Sequence, residues 1–76
     1  MPHISIKCYP KGLNAQELQR FADDLTAFVS ERLHTPEEWI TIDYQEMPAD
    51  EWKEKVYDAE VKPNGKHFLR RPHYEL

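Results

Sequence analysis

A single apolar stripe at helical spacing fixes much of what this chain can become. Leu18, Phe21, Ala22, Leu25, Phe28, Val29 and Leu33 recur along one face of a helix drawn through the middle of the sequence. Arg20, Asp23, Asp24 and Glu31 fall on the opposite side, with Arg20 and Asp24 spaced for an i,i+4 ion pair. Asn14 stands where an N-cap belongs, and Glu17 three residues later completes a capping-box pattern. Arg32 and His34 lie at the end where the helix dipole favours cations. His34-Thr35-Pro36 then stops the helix, because proline disfavours a helical residue before it.

Short alternating segments flank this helix. Residues 3–8 read as a strand, with Ile4, Ile6 and Cys8 on one face and His3, Ser5 and Lys7 on the other. Pro10-Lys11-Gly12 breaks it. Residues 39–46 read as a second strand, with Ile40, Ile42 and Tyr44 facing one way and Trp39, Thr41 and Asp43 the other. Strand, long helix, strand predicts an α/β fold, a β-α-β unit with parallel strands and a right-handed crossover. The helix stripe covers the isoleucine face. After Met47-Pro48 a short helix is expected over 49–57, with Trp52 and Val56 on its apolar side. Pro63-Asn64-Gly65 is a further break, Asn64 capping a last helical turn through Leu69, and Pro72 ends that turn. There is no repeat and no linker, so residues 1–76 are expected to form one domain with a short helical C-terminal extension.

A chain of 76 residues has a thin core. Small domains make up the deficit with disulfides, a metal or a partner subunit. Cys8 is the only cysteine, which closes the first route and fits a reducing, cytoplasmic setting. Residues 3–8 alternate and contain no h-region, so no signal peptide is expected, and no stretch is long enough to cross a bilayer. Ten basic residues against fourteen acidic ones give a net charge of −4, which argues against nucleic-acid and anionic-membrane partners. Two parallel strands leave both sheet edges open and one face uncovered, so self-association as a homodimer is expected.

The residues that carry chemistry are few. Met1-Pro2 offers a secondary amine once the initiator methionine is removed. Burial disfavours an ammonium, so a pocket around that nitrogen would make it a base near neutrality. The four histidines, at 3, 34, 67 and 73, have no metal-ligand spacing, so no metal site is expected. Cys8 alternates with Ile4 and Ile6 and reads as a small buried hydrophobe. Trp39 reads as packing at a strand end, and Arg70-Arg71 as a solvated helix end or a partner for a substrate carboxylate across an interface. No glycine-rich phosphate loop and no Ser-His-Asp arrangement is present.

Pro-His-Ile-Ser-Ile-Lys-Cys at 2–8, the single amphipathic helix and Ile-Thr-Ile-Asp-Tyr-Gln-Glu-Met at 40–47 resemble the 4-oxalocrotonate tautomerase family. Trp52, Asp-Ala-Glu-Val-Lys-Pro at 58–63 and the basic-Pro-x-Tyr ending at 70–74 are similar to its phenylpyruvate tautomerase A branch, a homodimeric group with a longer tail. The resemblance implies that Pro2 is the general base and that Trp52 stands on the active-site wall. The family's two carboxylate-binding arginines have no counterpart, since one falls in the Lys11-Gly12 turn and the other at Thr41. Lys11 remains as a point charge for a carboxylate, without the planar fork of arginine. The implied activity is keto–enol tautomerisation of a 2-keto acid, an arylpyruvate in preference to a diacid, with no metal or organic cofactor. The alternatives are a non-catalytic dimeric module that binds a small acid or a protein, and a related proline-dependent hydratase or dehalogenase.

Overall fold

The computed structural model describes residues 1–76. Its elements run β1 (His3–Cys8), α1 (Ala15–Leu33), a 3-10 turn (Glu37–Trp39), β2 (Thr41–Glu46), α2 (Ala49–Trp52), a π-helix (Lys53–Val61) and a second 3-10 turn (Gly65–His67). β1 and β2 form a two-stranded parallel sheet, and the crossover through α1 makes the expected β-α-β fold. Two compact units divide the chain: Met1–Ile6 with Lys11–Gln45, and Lys7–Pro10 with Glu46–Leu76. No helix is long and apolar enough to cross a membrane.

In the first unit α1 starts as its sequence dictates. The Asn14 side chain accepts from the Glu17 backbone N–H at 2.8 Å, and Glu17 accepts from the Asn14 N–H at 3.0 Å. Two backbone donors that a helix leaves unpaired are thereby satisfied. At the other end His34 takes a left-handed conformation, φ 53°, and its N–H donates to the Ser30 carbonyl. Histidine is one of the few side chains found there with any frequency. The expected Arg20–Asp24 pair does not form. Gln19 instead donates to Asp23 at 2.9 Å, and Arg32 lies over the Phe28 ring at 4.9 Å.

The apolar stripe divides into two lines. Leu18, Ala22, Leu25 and Val29 are half-buried, at the i, i+4, i+7, i+11 positions that trace the centre of one helix face. Phe21, Phe28 and Leu33 flank it and stay 40%, 55% and 59% exposed. Phe21 meets Tyr44 of β2 edge-on, centroids 6.4 Å apart, which puts α1 against the Ile42–Tyr44 face as the alternation requires. Two strands are too narrow to cover the full stripe, and no residue of this unit is fully buried. β2 begins two residues later than its alternation implies. Pro36 opens a tight turn in which the Trp39 N–H reaches the Pro36 carbonyl and the Ile40 N–H the Glu37 carbonyl, so Trp39 is drawn out of the strand and is 48% exposed, not packed.

The second unit holds the only buried hydrophobic residues, Val56 and Tyr57. Pro48 leads into α2, and at Lys53 the helix widens to i→i+5 bonding. The widening carries it on to Val61, four residues beyond the expected end. Lys53 pairs with Asp58 five positions on at 2.9 Å, a spacing that one wide turn brings onto the same side. Lys55 pairs with Glu51 at 2.8 Å. That hydrogen bond, and then the carboxylate's charge, raise the Lys55 ammonium above its ordinary 10.5. Lys7 of β1 forms an ion pair with Glu60. Asn64 stands at the N-cap of the last turn, but its side chain makes no capping hydrogen bond. Its amide turns back to donate to the Glu60 carbonyl at 2.7 Å, the turn ends at His67, and Leu69 is fully exposed. Cys8, expected to be buried, is half-buried.

Candidate active site

Pro2 is half-buried at the head of β1. Its ring fixes φ, and its carbonyl accepts the Thr41 N–H at 3.2 Å, the bond that opens the strand pair. The adjacent His3 is held as well, Nδ1 lying 2.6 Å from Thr41 Oγ1. Thr41 therefore grips both residues at the head of β1, one through its backbone and one through its side chain. Met1, by contrast, is 89% exposed. While Met1 is attached, the Pro2 nitrogen is an amide without basicity. Without it, the same nitrogen is a secondary amine on a strand whose next residues are already fixed.

Lys11 belongs to the same unit as Pro2 and sits on the exposed segment leading into α1. The adjacent Gly12 has φ 71°, a left-handed turn that a residue without a Cβ enters readily. Trp52 belongs to the other unit, at the C-terminal end of α2. It is half-buried, and its ring meets Tyr9 at 5.2 Å between centroids and 88° between planes. Edge-to-face contact at that distance is the favoured geometry for an aromatic pair. Two of these contacts escape a reading of the sequence. Thr41 looks like a position merely lacking arginine, because its role depends on a strand register hidden by the late start of β2. Tyr9 looks like the residue before a break, and no spacing rule links it to Trp52. No group of three or more His, Cys, Asp or Glu side chains is placed to hold a metal ion.

Residues 2–55 match the family model described as Tautomerase enzyme. Over 76 residues the chain is 33% identical to Tautomerase PptA of Cronobacter sakazakii, covering all of both chains. It is 31% identical over 74 residues to Tautomerase PptA of Pectobacterium carotovorum, covering 97% of each. To the protein of the same name in Escherichia coli it is 32% identical over the full length of both.

Proposed function

Since this chain belongs to the tautomerase enzyme family, we propose that it interconverts the enol and keto forms of an arylpyruvate-like 2-keto acid with Pro2 as the general base. The supporting observation is the setting of Pro2. It is the first residue of the family match, it is half-buried, and hydrogen bonding to Thr41 fixes its carbonyl side, while the residue that blocks its nitrogen is almost wholly exposed to an aminopeptidase.

The neutral amine takes a proton from the enol oxygen, or in reverse from the carbon beside the carbonyl. It returns that proton at the other atom, so the net reaction moves one proton and changes no oxidation state. The keto group already acidifies the neighbouring C–H, and what the site must stabilise is the enolate between the two forms. Lys11, in the same unit as Pro2, attracts the substrate carboxylate as a point charge. Two chains associate as a homodimer, which covers the exposed outer line of α1. The lone thiol suits a reducing, cytoplasmic setting.

Substrate preference tests the reading. With Thr41 engaged by His3 and no arginine in the Lys11-Gly12 turn, a monocarboxylate is the better fit. Enolic phenylpyruvate, followed spectrophotometrically as it ketonises, is expected to show a higher kcat/KM than an unsaturated dicarboxylate enol. Lys11→Ala is expected to raise KM more than it lowers kcat, the mark of a contact made equally in ground and transition states. A preference for the dicarboxylate contradicts the substrate assignment. Absence of turnover with either leaves a small-acid binding module.

A further inference from the structure

Beyond the family match, the C-terminal segment forms an open pocket of about 220 Å³. Tyr57, Val61, Phe68 and Pro72 give it apolar lining, and Lys62 and Arg71 are the two cationic residues that line it. Neither cation has an ion-pair partner, and no acidic side chain lines the space. In a chain of net charge −4 that local excess runs against the background.

The pocket is also built. Tyr57 is buried, and Tyr74 meets its ring edge-on at 5.8 Å between centroids. The Lys62 N–H donates to the Tyr57 carbonyl at 2.8 Å, which fixes the backbone from which that lysine projects. Gly65 lines the same space, and a Cβ on it would come within 3.1 Å of Arg71 Nη1. Glycine there lets the guanidinium lie close against the turn.

We propose that this pocket binds a small organic monoanion with an apolar or aromatic body, its carboxylate held by Arg71 and Lys62 and its body seated against Tyr57 and Phe68. An arginine fork donates to both oxygens of a carboxylate, and a lysine adds a mobile second charge. Sites for drug-sized ligands occupy about 300–1,000 Å³. The smaller volume therefore selects a ligand of one ring or a short branched chain. Inorganic anions would meet the cations but leave the apolar walls wet.

The test titrates 3-phenylpropionate, which cannot enolise, into the full chain with Met1 retained, so that Pro2 chemistry plays no part. Amide and aromatic NMR signals of Val61, Gly65 and Phe68 are expected to shift saturably. Arg71→Gln is expected to weaken binding about tenfold or more, as loss of a charged hydrogen bond does, and Lys62→Gln by a smaller factor. The neutral 3-phenylpropionamide should not saturate these signals. The proposal is overturned by an unchanged affinity in Arg71→Gln, by equal binding of acid and amide, or by shifts that leave Gly65 and Phe68 unmoved. Tautomerase activity enters none of these readings, so this test and that of Pro2 succeed or fail separately.

Discussion

Thr41 makes two bonds that differ in what a substitution can remove. Its N–H to the Pro2 carbonyl survives any side chain but proline, whereas the hydroxyl held by His3 Nδ1 is lost on Thr41→Val. Both partners of the side-chain bond are exposed, and water can replace what is lost, so the cost in stability is expected not to exceed about 1 kcal/mol. If the bond steadies the head of β1 for catalysis, kcat/KM should fall several-fold in Thr41→Val and recover in Thr41→Ser, which keeps the hydroxyl. Urea unfolding and the phenylpyruvate assay on the same two variants separate the effects. A loss of activity that serine does not restore removes the hydroxyl from the account.

At the scale of elements, α1 is the part whose sequence speaks most plainly. Its cap, its first-turn glutamate and its apolar spacing agree, and consistency of that kind marks a well-specified element. Asn14→Ala removes the side-chain half of the capping box, leaving the backbone N–H to Glu17 in place, and is expected to cost about 0.5–2 kcal/mol in urea unfolding. An unchanged midpoint would mean that the first turn is held by something other than its cap. Elsewhere the pattern was legible but its geometry was not. Alternation located β2 yet could not see that Pro36 spends residues 37–39 on a tight turn, because a proline sets its own φ and leaves the length of the turn after it open. The C-terminal helix carried its signal in plain view: Trp52, Val56, Tyr57 and Val61 are spaced by fours and fives, wider than a 3.6-residue turn. Read as an ordinary helix, that spacing ends early. Pro2 and Trp52 could be singled out in the sequence through resemblance, whereas Tyr9 and Thr41 depend on register and edge contacts that only coordinates supply.

On the scale of the whole chain, the stripe on α1 is wider than the sheet beneath it. Phe21 and Phe28 remain exposed along one side and Leu33 on the other, and the first unit has no fully buried residue. Burying apolar surface returns roughly 25 cal/mol per Å², so covering such a line with a second copy is the simplest gain open to a small chain without disulfides. A homodimer is therefore expected by sedimentation equilibrium at micromolar concentration, with Phe28→Glu shifting the balance toward monomer. A fully folded wild-type monomer under those conditions defeats the assignment.

The central claim is that the Pro2 amine is the base, and one comparison reaches it directly. The same chain is prepared with Met1 removed and with Met1 retained, its processing verified by intact mass, and kcat/KM for phenylpyruvate ketonisation is followed across pH. The Met1-free protein is expected to gain activity as pH rises and the amine loses its proton, with the midpoint set by that single group. The Met1-retaining protein, folded and associated to the same extent, is expected to be slower by about 10²–10⁴-fold, the usual contribution of a general acid–base group. Equal activity from the two chains would contradict the account at its centre.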